Sequence, residues 1–266
     1  MIKGWWAALA VLAIAGAARS APAAPGVDDL IARHIAARGG AAALKALGSV
    51  RLDGEILQQG IKLGFEQRAR RPNLIREDVS IQGMTIVQAT DGAQAWQIQP
   101  FQGRKDAENM SADESKDLIE DSDLDTALIN YRAKGSRAEL LGQDDIDGSP
   151  AWKVRITEKS GDQLTYYLDT DTLMVIRLEA RRFIRGQEKV TVSDYGDYEK
   201  VGGVYFPFAI DSGPKGAPDD QRQQLVVTGA QANPTLDDAI FRFPAGAANA
   251  VKSTAAEAPK PARPPQ

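Results

Sequence analysis

The stretch QLTYYLDTDTLMVIRLEARRFIRGQEKVTVSDYGDYEKVGGVYFPFAI, residues 163–210, decides the fold. Leu164, Tyr166 and Leu168 alternate with Gln163, Thr165 and Tyr167. Met174, Ile176 and Leu178 then alternate with Val175, Arg177 and Glu179. After a less regular run, Val204, Phe206, Phe208 and Ile210 alternate with Tyr205, Pro207 and Ala209. Strand side chains point to opposite faces in turn, so this period of two predicts consecutive antiparallel strands with one apolar side. Turns fall at Asp169-Thr170-Asp171-Thr172, Arg185-Gly186 and Val201-Gly202-Gly203. The functional question is what covers the apolar side: the chain's own helices, or a guest.

The same period extends upstream. Val50, Leu52 and Ile56 share a face, with Gly54 placed for a bulge or bend. Leu63 and Phe65 follow a Gln59-Gly60 turn, and Met84 and Ile86 follow Gln82-Gly83. Trp96 and Ile98 follow Asp91-Gly92, and Trp152 and Val154 follow a turn ending at Gly148. A last strand is expected over Gln223–Thr228, before a helical turn at Leu236–Phe241. About ten or eleven strands result, with turns every eight to twelve residues. A sheet that long must curl or close.

Two patches break the strand pattern. Asp28 and Asp29 open a helix whose apolar stripe is Leu30, Ile31, His34 and Ile35; Gly39-Gly40 stops it, and Leu44 and Leu47 mark a second short turn. In the middle, Ser111 and Glu114 have capping-box spacing ahead of helical apolar positions from Leu118 to Ile129. Asp121, Asp123 and Asp125 alternate like calcium ligands, but the glycine and distal glutamate of such a loop do not follow, which favours a solvated turn. The expected architecture is mainly β with helices (α+β): a strongly curved antiparallel sheet forming an incomplete β-barrel, capped by the N-terminal helix and the central helical insertion.

Composition excludes several functions. The chain has no cysteine and one histidine, His34, so disulfides, thiolate metal sites and bacterial lipid anchoring through cysteine are ruled out. His34 sits on a helical apolar stripe and reads as a packing residue. No metal, cofactor, nucleophile motif or phosphate loop is implied. Asp145 and Asp147 read as hairpin-turn acids rather than an acid–base pair. Lys3, the apolar run Trp5–Ala17 and Ala18-Arg19-Ser20 form an export signal over residues 1–20. Net charge is −4, and −6 once a leader carrying Lys3 and Arg19 is removed, which disfavours nucleic acid. The expected product is a single periplasmic domain over 21–244 with an Ala/Pro-rich disordered tail over 245–266.

Five segments resemble the outer-membrane lipoprotein-sorting family, relatives of the Lol lipoprotein carriers. They are LIARHIAARGGAAALKALGSVRLDGEI, DGAQAWQIQPFQG, GDQLTYYLDTDTLMVIRLE, SDYGDYEKVGGVYFPFAI and ANPTLDDAIFRFP, spanning Leu30 to Pro244. The resemblance implies an incomplete antiparallel barrel with helices over its opening and a hollow that takes acyl chains.

The apolar rows are therefore candidate cavity walls. They comprise Leu63 and Phe65, Met84 and Ile86, Trp96 and Ile98, Trp152 and Val154, Leu164 and Tyr166, Met174 and Ile176, and Phe206 and Phe208. Arg68 and Arg70, beside Arg71, form a polar rim for an anionic group or a solvated strand end paired with Glu66, Glu77 and Asp78. The expected function is non-enzymatic carriage or binding of a lipid, lipoprotein or other acylated ligand, with a transient membrane-protein partner. The competing reading is an interaction or sensor module that grips a protein partner in the concave face.

Overall fold

A computed structural model describes residues 25–102 and 104–244; the leader expected over 1–20 and the tail expected over 245–266 lie outside them. The chain opens with α1 (Val27–Ala37) and α2 (Gly40–Ala46). Six strands follow as one meander: β1 (Ser49–Gln58), β2 (Ile61–Arg70), β3 (Leu74–Ile81), β4 (Met84–Thr90), β5 (Ala95–Gln99) and β6 (Arg104–Asn109). A segment containing α3 (Lys116–Asp121) leads to a second meander. Its strands are β7 (Arg137–Ile146), β8 (Ser149–Thr157), β9 (Gln163–Asp169), β10 (Val175–Ile184), β11 (Gln187–Val201), β12 (Val204–Pro214) and β13 (Gln223–Ala232).

The last strand returns to lie beside the first. The order is β6-β5-β4-β3-β2-β1-β13-β12-β11-β10-β9-β8-β7, antiparallel throughout. The two outer strands, β6 and β7, do not pair, so the curved sheet is an incomplete barrel. Among the described residues, thirteen strands exceed the ten or eleven expected. β6, with sequence RKDAEN, has no apolar alternation to announce it. At the β1–β13 seam the ladder slips between Asp53 and Gly54. A Cβ on Gly54 would stand 2.4 Å from the Val226 carbonyl oxygen, so the bulge read from the sequence needs glycine for close approach.

The helices cover part of the concave face. Leu30, Ile31 and His34 face inward from α1, as its stripe requires. With Ala127, Leu128 and Tyr131 they bury Val154, Ile156, Leu164, Tyr166 and Leu168 of β8 and β9. Leu44 and Leu47 with Leu118, Leu124 and Ile129 cover Val50, Ala69, Ile75 and Ala95. The central insertion is less helical than expected. Only six residues form α3, although Ser111 and Glu114 do exchange the capping-box bonds, 3.1 and 3.3 Å. The remainder is a series of turns with Thr126 and Asn130 at positive φ.

A third cluster lies on the other side of the sheet. Val87, Ala89, Trp96 and Ala107 pack there with Ile98 and Phe243. The Trp96 indole donates to the Phe241 carbonyl at 2.8 Å, and its ring meets Phe243 edge-on at 6.2 Å. Trp96 and Ile98 are thus corrected from cavity wall to convex face, where the chain's final described segment covers the tryptophan.

Candidate ligand-binding hollow

Three cross-strand lines on the concave face show where the helices stop. Val50, Ala69, Ile75, Thr90 and Ala95 are in register and all buried. One step along each strand, Gln67, Glu77, Gln88 and Gln97 form a polar line across β2 to β5. One step further, Gly54, Phe65, Val79 and Ile86 are in register, and the three side chains are half-buried. Ile56 pairs with Leu63 on one side and with Leu225 on the other, and Leu225 pairs with Ile210. Leu63, Leu225, Ile210, Phe206 and Phe208 are half-buried, and Met84 is 38% exposed. The apolar concave face is therefore sealed at one end and only partly covered at the other. A cavity of about 770 Å³ opens beyond Ile56 and Ile210, lined by Gln58, Thr191, Ser212 and Gln223 with Lys189 and Lys215.

The predicted wall residues separate into groups. Leu63, Phe65, Met84, Ile86, Phe206 and Phe208 lie on the open part. Val154, Leu164 and Tyr166 lie in the packed core under α1, at 4% exposure or less, and Trp152 packs against them. These four are core rather than wall, because α1 and residues 127–131 sit directly over β8 and β9. Around the start of β10 the predicted phase slips. The ladder shifts between Val175 and Arg177, so Leu173 and Val175, not Met174 and Ile176, join that core.

Arg68 and Arg70 are not a rim. Their alternation places them on the face opposite Ala69, away from the hollow. Arg68 pairs with Asp78 and with Glu66 at 3.2 Å. Arg70 reaches the C-terminal segment, with Asp238 at 2.5 Å and the Leu236 carbonyl at 3.2 Å, and lies over the Phe241 ring. The paired strand-end reading holds for Glu66 and Asp78. Glu77, their supposed third partner, points the other way.

Glu77 instead faces α3. It accepts from Gln67 Nε2 at 3.0 Å, and burial pushes its carboxyl up to about 7. Asp121 hangs from α3 without a hydrogen bond or ion pair among the described residues. It is accessible to solvent, yet the protein around the hollow strips away enough water to lift its carboxyl well above the ordinary range. Repulsion from Glu77 and Asp117 adds to this. The phenol of Tyr195 completes this part of the lining, raised by burial and by the field of Asp121.

α3 crosses the hollow as a strap. On one side it packs on β3 and β4. On the other, Arg182 of β10 grips Asp117 at 2.5 Å and also Glu120, while Lys116 reaches Asp162 at 3.0 Å and the Phe183 carbonyl at 2.8 Å. The next turn is anchored by Arg71, whose guanidinium forks onto Asp125 at 2.8 and 2.5 Å and also donates to the Leu44 and Leu47 carbonyls. Asp123 is held by Lys134. The three alternating acids thus have three different roles.

His34 is a packing residue. It is 1% exposed, its Nδ1 lies 2.7 Å from the Leu173 carbonyl, and burial pushes its imidazole down to about 4.

No family model and no curated protein matches the sequence. Solved structures do match the fold. An outer membrane lipoprotein-sorting protein domain from Vibrio parahaemolyticus aligns with a TM-score of 0.54 over 82% of this chain and 96% of its own, at 10% identity. A DUF1329 family protein from Desulfovibrio piger gives 0.55 over 82% and 98%, at 11% identity. A LolA superfamily protein from Nitrosomonas europaea gives 0.54 over 82% and 98%, at 12% identity. The chain has the lipoprotein-sorting, LolA-like fold that its motifs resemble, and identities this low speak to fold alone.

Proposed function

We propose that this chain is an exported, periplasmic carrier or binder of a lipidic or acylated ligand, acting by binding rather than catalysis. The observation that carries the reading is the half-covered end of the concave face. Phe65, Val79 and Ile86 keep solvent contact on the inside of the curved sheet, and Phe206, Phe208 and Leu225, at the edge of the packed cluster, are only half-buried. Burying an acyl chain against such a surface contributes about 0.8 kcal/mol per CH2. The apolar leader expected over 1–20 supports export.

Native mass spectrometry of protein prepared without detergent tests this. A retained mass in the lipid range, removed by organic extraction and regained from vesicles, is the expected result. A protein that is always empty and takes up no chain after extraction would leave the alternative, a module that grips a protein partner in the same concavity.

A further inference from the structure

We propose that Arg38 is the head-group site of the hollow, its guanidinium holding the anionic oxygens of a single-chain amphiphile whose tail runs along Phe206, Phe208 and Ile210. This rests on the carrier reading and narrows its ligand class.

Arg38 is the residue that ends α1, and it is only 7% exposed. Among the described residues it forms no ion pair, and its side chain donates no hydrogen bond. Its guanidinium lies over the ring of Phe206, 5.9 Å from the centroid. The other well-covered arginines differ. Arg182 grips Asp117 and Glu120, and Arg222 holds Asp194 and Asp211. Covering a guanidinium this far with no protein acceptor for its five N–H donors is costly, even though its nitrogens keep some solvent contact.

Three features offset part of that cost without supplying an acceptor. A cation suits the end of α1, the Phe206 face attracts it, and Asp125 contributes a field while being clamped by Arg71. The other titratable groups acting on Arg38 are Tyr166, Tyr198 and His34, and burial keeps all three neutral around pH 7. The place is positive, and among the described residues no acidic side chain pairs with Arg38.

Arg38 is also held. Tyr205 N donates to its carbonyl at 2.9 Å, and the next residue, Gly39, is pressed onto the β11–β12 turn. From Phe206 the row passes Phe208 and Ile210 to Ser212 at the cavity mouth. Six strand steps, from Phe206 to Ser212, span roughly 20 Å, the length of a long acyl chain. A guanidinium fork fits a carboxylate or a phosphate monoester, so the shared chemistry is a chain ending in anionic oxygens.

The test compares a fluorescent polyene fatty acid with its methyl ester, using hexadecyl phosphate as competitor, on the extracted protein. Wild type is expected to bind the acid roughly tenfold or more tighter than the ester, the scale of hydrogen bonds to a charged group. Arg38→Met should lose that preference, the affinity for the acid falling to that for the ester. Arg38→Lys, which keeps the charge, should retain part of it. Displacement at lower concentration by hexadecyl phosphate than by hexadecanoate assigns the phosphate source, and the reverse order assigns the carboxylate. Equal binding of acid and ester by wild type, or an equal loss of both in Arg38→Met, overturns the head-group site and leaves carriage standing. If neither probe binds wild type, carriage falls as well. Should Arg38→Met fail to fold, the wild-type acid-to-ester ratio and Arg38→Lys still decide.

Discussion

Single residues carry two of the sharpest consequences. Gly39 joins α1 to α2 at φ +126, and a Cβ there would stand 2.1 Å from the Gly203 carbonyl oxygen. Gly39→Ala combines left-handed strain with a backbone collision and should cost about 3 kcal/mol or more in denaturant unfolding. His34 gives a pH dependence of defined sign. Its folded value, about 4, lies below the ordinary 6.5, so its contribution is present above pH 6.5 and is lost as pH falls toward 4. The full swing is about 3 kcal/mol. His34→Gln, which keeps a donor for the Leu173 carbonyl, should flatten the fall in stability between pH 6.5 and 4.5. His34 was legible as packing because its neighbours on the stripe are Leu30 and Ile31. Arg38 was not, because one arginine after an apolar helix looks like a solvated end until the β11–β12 turn is seen resting on it.

At the scale of elements, the strap and the strand beneath it face each other through acids. Glu77 sits at about 7 against an ordinary 4.5, so its contribution is present below pH 4.5 and is lost as pH rises through 7. Glu77→Gln should be more stable than wild type at pH 8 by about 2 kcal/mol, after allowing for water in the hollow, and should show no gain at pH 5. Unfolding at the two pH values checks it. The gradients of Glu77 and His34 oppose each other between 4.5 and 6.5, so the wild-type profile should be shallow there and only the variants should separate them. Most elements could be read from alternation and turn residues. The exceptions have physical causes. β6 is polar because it is an outer strand. Trp96 looked like wall because alternation gives two faces without saying which is concave, and the covering Phe241 and Phe243 lie some 145 residues away. Glu77 interrupts the apolar row of Ile75 and Val79, and that break was the available sign of a polar line inside.

For the whole molecule, the division between sealed core and open wall matters most. It follows from how little helix spans thirteen strands, and no local pattern encodes it. Phe208→Trp adds bulk where the face is half-exposed. It should weaken uptake of a long-chain probe severalfold while moving the melting temperature little. Val154→Trp, under α1 where exposure is zero, should unfold the protein through overpacking. Probe titration and thermal melts distinguish these outcomes, and equal damage from both would mean that the open end is also core.

The seam between β1 and β13 has a temporal meaning. Val50 pairs with Ala232, so the first strand waits for almost the whole described chain before one of its edges is satisfied. Contacts so distant in sequence close slowly. During synthesis, β1 carries an open edge that invites pairing with other chains. A chain stopped before Gln223 should keep the first meander and β7 to β12 of the second yet associate through β1 and β12, which sedimentation would reveal as assemblies that the full chain does not form. Export in an unfolded state would let the first and last strands emerge on the same side of the membrane before either has to find a partner.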